Sequence, residues 1–102
     1  MTRSSFSVLF AIRDSKVRKS GNAPIEVTIT VNGRRTNFST GKLVHIDKWD
    51  KAKQQVKGKD AEAKSLNQFL LAVKTRLYEK EAELMERGFV VTAELLRDAY
   101  FD

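Results

Sequence analysis

The chain has 102 residues, 41% of them apolar and 31% charged, which fits one globular domain and not a disordered segment. No apolar run approaches the roughly 18 residues of a membrane span, and the absence of cysteine excludes disulfides and thiolate metal sites. Nineteen Lys/Arg against 13 Asp/Glu give a net +6 and a pI near 9.8, which favours a polyanionic partner. The charge is unevenly spread: residues 1–59 hold 13 Lys/Arg and four Asp/Glu, residues 60–102 six and nine. A basic part (1–59) and a helical part (60–102) of one domain are therefore expected, with the anion-binding surface in the first.

In chain order, Ser5 to Arg13 alternates strictly, with Phe6, Val8, Phe10 and Ile12 on one face, and this period of two predicts a strand. Asp14 to Ala23 is polar and basic and reads as a loop. Pro24 opens a second alternating run, with Ile25, Val27, Ile29 and Val31 on its apolar face. Asn32-Gly33 then signals a two-residue hairpin turn, because both central positions of a type I′ turn take positive φ. That turn pairs Val31 with Arg34, Thr30 with Arg35, Ile29 with Thr36, Thr28 with Asn37 and Val27 with Phe38. One face is then core, and the other carries Glu26, Thr28, Thr30, Arg35, Asn37 and Ser39.

Leu43, Val44 and Ile46 suggest a short extended piece, and Asp47-Lys48-Trp49-Asp50 a capped turn with Trp49 packed beneath it. Lys51 to Lys59 reads as a basic linker. Asp60 is an N-cap for a long helix in which Leu66, Phe69, Leu70, Val73, Leu77 and Leu84 recur at helical spacing, with Gly88 as the stop. Residues 61–87 would span about 40 Å, longer than a small sheet is wide, so the far end must pack elsewhere. Thr92 caps a second helix through Leu95, Leu96 and Ala99. Its apolar pattern is still running at Phe101-Asp102, which suggests a piece of a longer protein. The expected fold is α+β: a three-stranded antiparallel sheet on a long helix, plus a short terminal helix.

No catalytic constellation is present. His45 is the single histidine, and a lone loop histidine is ordinarily structural. The five glycines match no phosphate-binding fingerprint. Glu79, Glu81, Glu83 and Glu86, among Lys80 and Arg87, read as a solvated helix face and not as a metal site. Neither an enzyme nor a cofactor, small-molecule or membrane protein is expected. Phe69, Tyr78, Phe89, Tyr100 and Phe101 read as core or interface rather than a ligand cage.

The polar sheet face offers more. Arg13 points away from Phe6, Val8, Phe10 and Ile12, and so joins Thr28, Thr30, Arg35 and Asn37. Arginine can donate twice to guanine, asparagine pairs twice with adenine, and threonine bonds an edge or touches a thymine methyl. Arg3, Lys16, Arg18, Lys19, Arg34 and Lys42 lie at strand ends and loops, where phosphates would sit. The plainer alternative is an ordinary solvated strand face with lysine-rich loops. Phe6, Phe10 and Phe38 alternate onto the core side, which disfavours a base-stacking platform for single strands.

The run Thr30-Val31-Asn32-Gly33-Arg34-Arg35-Thr36-Asn37-Phe38-Ser39-Thr40-Gly41, then Trp49-Asp50, Val56-Lys57-Gly58, a long helix and Val91-Thr92-Ala93-Glu94, resembles the N-terminal arm-type DNA-binding domain of tyrosine recombinases. These are the integrases of phages and of conjugative or mobilisable transposons. The resemblance covers nearly the whole chain. It implies a three-stranded sheet with a C-terminal helix, set in the major groove of arm-type sites distant from the crossover. On that basis Thr28, Thr30, Arg35 and Asn37 would face bases, and Lys16, Arg18, Lys19, Arg34 and Lys42 would hold phosphates. The recombinase's catalytic residues would lie in a later domain. Double-stranded DNA is the implied partner, with other recombinase protomers as a further one through the long helix, and a bacterial cytoplasmic, nucleoid-associated setting. The length of Asp60–Arg87 departs from the smaller arm domains. A protein–protein assembly module and a duplex-RNA reader are the rival classes.

Overall fold

The computed structural model describes residues 6–101, the side chain of Asp14 excepted. Three antiparallel strands, β1 (Phe6–Ile12), β2 (Asn22–Val31) and β3 (Arg34–His45), form a sheet in the order β1-β2-β3. Asn32 and Gly33 take φ of 51° and 83°, as the turn requires, and the expected pairing holds from Val31↔Arg34 through Val27↔Phe38. β1 pairs with β2 from Phe6↔Val31 to Ile12↔Ile25.

Two details of the sheet differ from expectation. β2 begins at Asn22, so Pro24 lies inside the strand. It is tolerated there because β1 already ends opposite Ile25, and because the β2–β3 register shifts between Pro24 and Glu26. β3 is the longer strand and absorbs Leu43 and Val44. At the shift, Thr40, Gly41 and Lys42 oppose Ile25 alone. The Thr40 hydroxyl donates to the Ile25 carbonyl at 2.8 Å and accepts from the Lys42 N–H at 3.1 Å, and Gly41 supplies a φ of 79°.

The segment expected to be a linker is ordered. After a short 3-10 turn, Ile46–Lys48, strands β4 (Trp49–Asp50) and β5 (Gln55–Val56) form a small hairpin. Trp49 and Val56 enter the core. The Asn67 side chain accepts from the Val56 N–H at 2.8 Å and donates to the Val56 carbonyl at 3.1 Å, which fastens the hairpin to the first helix. The Gln54 side chain accepts from the Phe10 N–H at 3.0 Å and fastens it to the edge of β1.

Helix α1 (Ala61–Glu86) starts at the Asp60 cap, whose carboxylate accepts from the Ala63 N–H. It ends in a Schellman arrangement: the Phe89 N–H reaches the Leu84 carbonyl and the Gly88 N–H the Met85 carbonyl, with Gly88 at φ 85°. The Thr92 hydroxyl caps α2 (Ala93–Phe101) through the Leu95 N–H. α1 crosses one sheet face diagonally. Phe69 meets Lys42 of β3, and about two and a half turns on Tyr78 meets Phe6 of β1 at 4.9 Å between ring centres. Its far end packs on α2, with Leu84 and Leu96 in the shared core. α2 in turn covers β3: Phe38 lies 5.3 Å from Tyr100 and 4.8 Å from Phe101, and the Arg97 guanidinium donates to the Thr36 hydroxyl. The core is one cluster in which Ile25, Val27, Ile29, Leu77 and Leu96 are fully buried. No helix among the described residues is long and apolar enough to cross a membrane.

Candidate nucleic-acid interface

Because both helices lie on the face that carries Val8, Val27 and Ile29, the period of two leaves the opposite face without a helical cover. The pairing arranges that face as three cross-strand rows: Ser7–Thr30–Arg35, Leu9–Thr28–Asn37 and Ala11–Glu26–Ser39. With strands about 4.8 Å apart, the face is roughly 10 Å across between its outer backbones. Arg35 and Asn37 are exposed, while Thr28 and Thr30 are half-buried between them and β1. Thr28, Arg35, Thr36 and Asn37 border one shallow depression. Four of the expected base-facing residues are therefore neighbours on one surface.

Arg13 lies one residue beyond β1 and turns onto the same face. Its Nε–H donates to Glu26 Oε1 at 2.8 Å, and Lys16 Nζ lies 3.6 Å from Glu26 Oε2. Among the described residues Glu26 is the one charged side chain in the buried set, 7% exposed, while both its partners stay about half exposed. A single acid thus gathers two cations at one end of the face. Alternation alone placed Glu26 among the solvated residues of the polar face. The missed signal was its isolation: four acids stand among 13 bases in residues 1–59.

The remaining cations form a rim. Arg18 and Lys19 are exposed on the β1–β2 loop, where the Gly21 N–H donates to the Arg18 carbonyl and the Arg18 N–H to the Asn22 carbonyl. Arg34 stands at the other end, opposite Val31 beside the hairpin turn. Lys42, displaced by the bulge, holds its ammonium 5.0 Å from the centre of the Phe69 ring, toward the helical side. Arg3 lies outside the described residues.

Sequence reasoning overlooked what β1 and the β4–β5 hairpin contribute. Leu9 is 45% exposed in the middle of the open face, and Lys51 and Gln54 flank it from the hairpin. Alternation could have placed Leu9 there, since it is the residue between Val8 and Phe10. His45 is structural: its Nδ1 accepts from the Asp47 N–H, and its ring packs so closely on Gly21 that a Cβ there would lie 2.4 Å from Nε2. Among the described residues no cluster of His, Asp and Glu is arranged to hold a metal ion.

A protein-family model described as the Arm DNA-binding domain matches residues 10–97, which takes in β2, β3, the small hairpin, α1 and most of α2. No curated protein and no solved structure matches the chain. The chain belongs to the Arm DNA-binding domain family, a non-catalytic DNA-binding module.

Proposed function

We propose that the domain binds double-stranded DNA sequence-specifically through the open face of β1–β3 in the major groove, as the arm-site module of a tyrosine recombinase in site-specific integration and excision. The observation that supports this best is the one-sided cover of the sheet, which leaves Thr28, Thr30, Arg35 and Asn37 adjacent on a face roughly 10 Å across. A major groove is about 12 Å wide and admits a β surface of that size. In this reading Arg35 and Asn37 donate to base edges, with the threonines and Arg13 beside them. Lys16, Arg18, Lys19 and Arg34, with Arg3, hold phosphates on either side, and Lys42 joins them by swinging off the Phe69 ring toward the open face. The role needs no cofactor, and its setting is the bacterial nucleoid. Strand exchange belongs to a catalytic domain of the parent protein.

The test is a pair of titrations for each variant, on the preferred duplex and on a random one at a single salt concentration. Arg35→Ala or Asn37→Ala should lose roughly 1–3 kcal/mol on the preferred duplex and much less on the random one. Lys19→Ala should weaken both alike, since phosphate contacts carry no direct sequence information. An unchanged ratio in the Arg35 and Asn37 variants would remove the open face as the reading surface, and preferential competition by duplex RNA would move the domain to another class. A second reading assigns the helical layer to contacts with other recombinase protomers. It is favoured by exposed Met85, Phe89, Val90 and Phe101, and it places the sensitive substitutions in residues 66–101 instead of 13–42.

A further inference from the structure

The hairpin β4–β5 does not merely fill space beside β1. Between its tip and the open face runs a surface groove of about 460 Å³, bordered by Leu9, Thr28 and Arg35 on the sheet side and by Ile46, Lys51 and Gln54 on the hairpin side. Among the described residues its walls carry two cations, Arg35 and Lys51, and no carboxylate. The groove between α1 and α2 is the counter-example, since Lys80 and Arg87 face Glu83 and Asp98 there. The floor beside β1 is apolar, formed by Leu9 and Ala11. The far wall is held in place at two points, by Gln54 on the Phe10 N–H and by Asn67 on the Val56 backbone.

A groove with the base reader Arg35 on its inner wall, Lys51 on its outer wall and an apolar floor suits the flank of a duplex, where a chain alternating anionic and apolar units runs outside the base edges. A sugar–phosphate strand is such a chain: phosphates meet the ammonium, and the deoxyribose lies on the aliphatic floor. We infer that this groove seats one backbone of the bound duplex, with Lys51 as a phosphate contact supplied from outside the three-stranded sheet. The inference rests on the proposed placement of the open face in the major groove. It adds a contact on the β1 flank, where the sequence showed only a basic linker.

Lys51 is exposed and lies outside the core cluster, so its removal should leave the fold intact. The experiment measures affinity for the wild-type preferred duplex and a random duplex across a salt series. The proteins are the wild-type chain, Lys51→Ala, Lys51→Arg and, as a control on the helical layer, Lys74→Ala. One lost phosphate contact should make the log–log salt slope of Lys51→Ala shallower by about 0.9, equally on both duplexes. Lys51→Arg should restore the slope, and Lys74→Ala should not change it. A wild-type slope retained by Lys51→Ala overturns the groove assignment while leaving the open face as reader. Equal loss in Lys51→Ala and Lys74→Ala overturns it too, because the effect would then be one of net charge. Failure of the wild-type chain to bind duplex DNA would remove the proposed function and this inference together.

Discussion

Glu26 offers a test in which folding and binding should move in opposite directions. Glu26→Gln keeps the side chain's length and an acceptor for Arg13, but it removes the charge that holds Arg13 at 2.8 Å and Lys16 at 3.6 Å. A hydrogen bond to a charged group contributes about 1.5–3 kcal/mol when well protected. Arg13 and Lys16 are 45% and 56% exposed, so water screens much of this, and a loss of about 1 kcal/mol is expected. For a domain of this size that lowers Tm by roughly 4–8 °C. The same change releases two cations beside the open face. Lys16 is already one of the six phosphate contacts, so if the freed Arg13 neutralises one more, the salt slope on random duplex steepens by up to about 0.9 and random binding tightens. Arg13 also loses its fixed direction, so the ratio of preferred to random affinity narrows. Thermal unfolding by circular dichroism and a salt series of anisotropy titrations read both effects. A variant with unchanged Tm and unchanged slope would show that Glu26 does not hold these cations in solution. Weaker random binding would refute the reasoning outright.

Two further outcomes are expected. Six phosphate contacts would give the wild-type chain a log–log salt slope of about −5 on duplex DNA, and a flat titration at low to moderate ionic strength would contradict the electrostatic argument. The chain should neither cleave nor join DNA, with or without divalent metal, so denaturing gels should show no covalent protein–DNA adduct. Tyr78 and Tyr100 are the two tyrosines available for one, and both rings pack on neighbours: Phe6 for Tyr78, Phe38 and Phe101 for Tyr100.

What was legible in the sequence was whatever local chemistry decides. Asn32-Gly33 admits one turn geometry, and that turn sets the face of every residue from Val27 to Phe38. Asp60 and Gly88 mark the ends of α1 because helix termini must satisfy their own backbone groups. The hairpin β4–β5 was not legible, since two-residue strands have no periodicity. Its anchors, Asn67 on Val56 and Gln54 on Phe10, join positions 11 and 44 residues apart. The bulge at Thr40–Lys42 turned Lys42 toward Phe69 through bonds between strands, of which Gly41 was the single local hint. In the candidate interface, alternation placed Thr28, Thr30, Arg35 and Asn37 correctly on one face. Pairing of unlike charges across a loop is a tertiary matter, so the Arg13–Glu26–Lys16 cluster emerged only with the fold.

A three-stranded sheet has two edges, and an unprotected edge invites another chain to extend it. Here the β1 edge has its Phe10 N–H taken by Gln54, and the β3 edge is broken between Ser39 and Leu43 by a three-against-one bulge that includes Lys42, with Arg34 and Arg35 at the strand's other end. The bulge limits the regular part of the β3 edge to Arg34–Ser39, and the hairpin removes one donor from the β1 edge. Copies crowded onto adjacent DNA sites would therefore meet as separate bodies, each free to dissociate, instead of fusing into one continuous β structure.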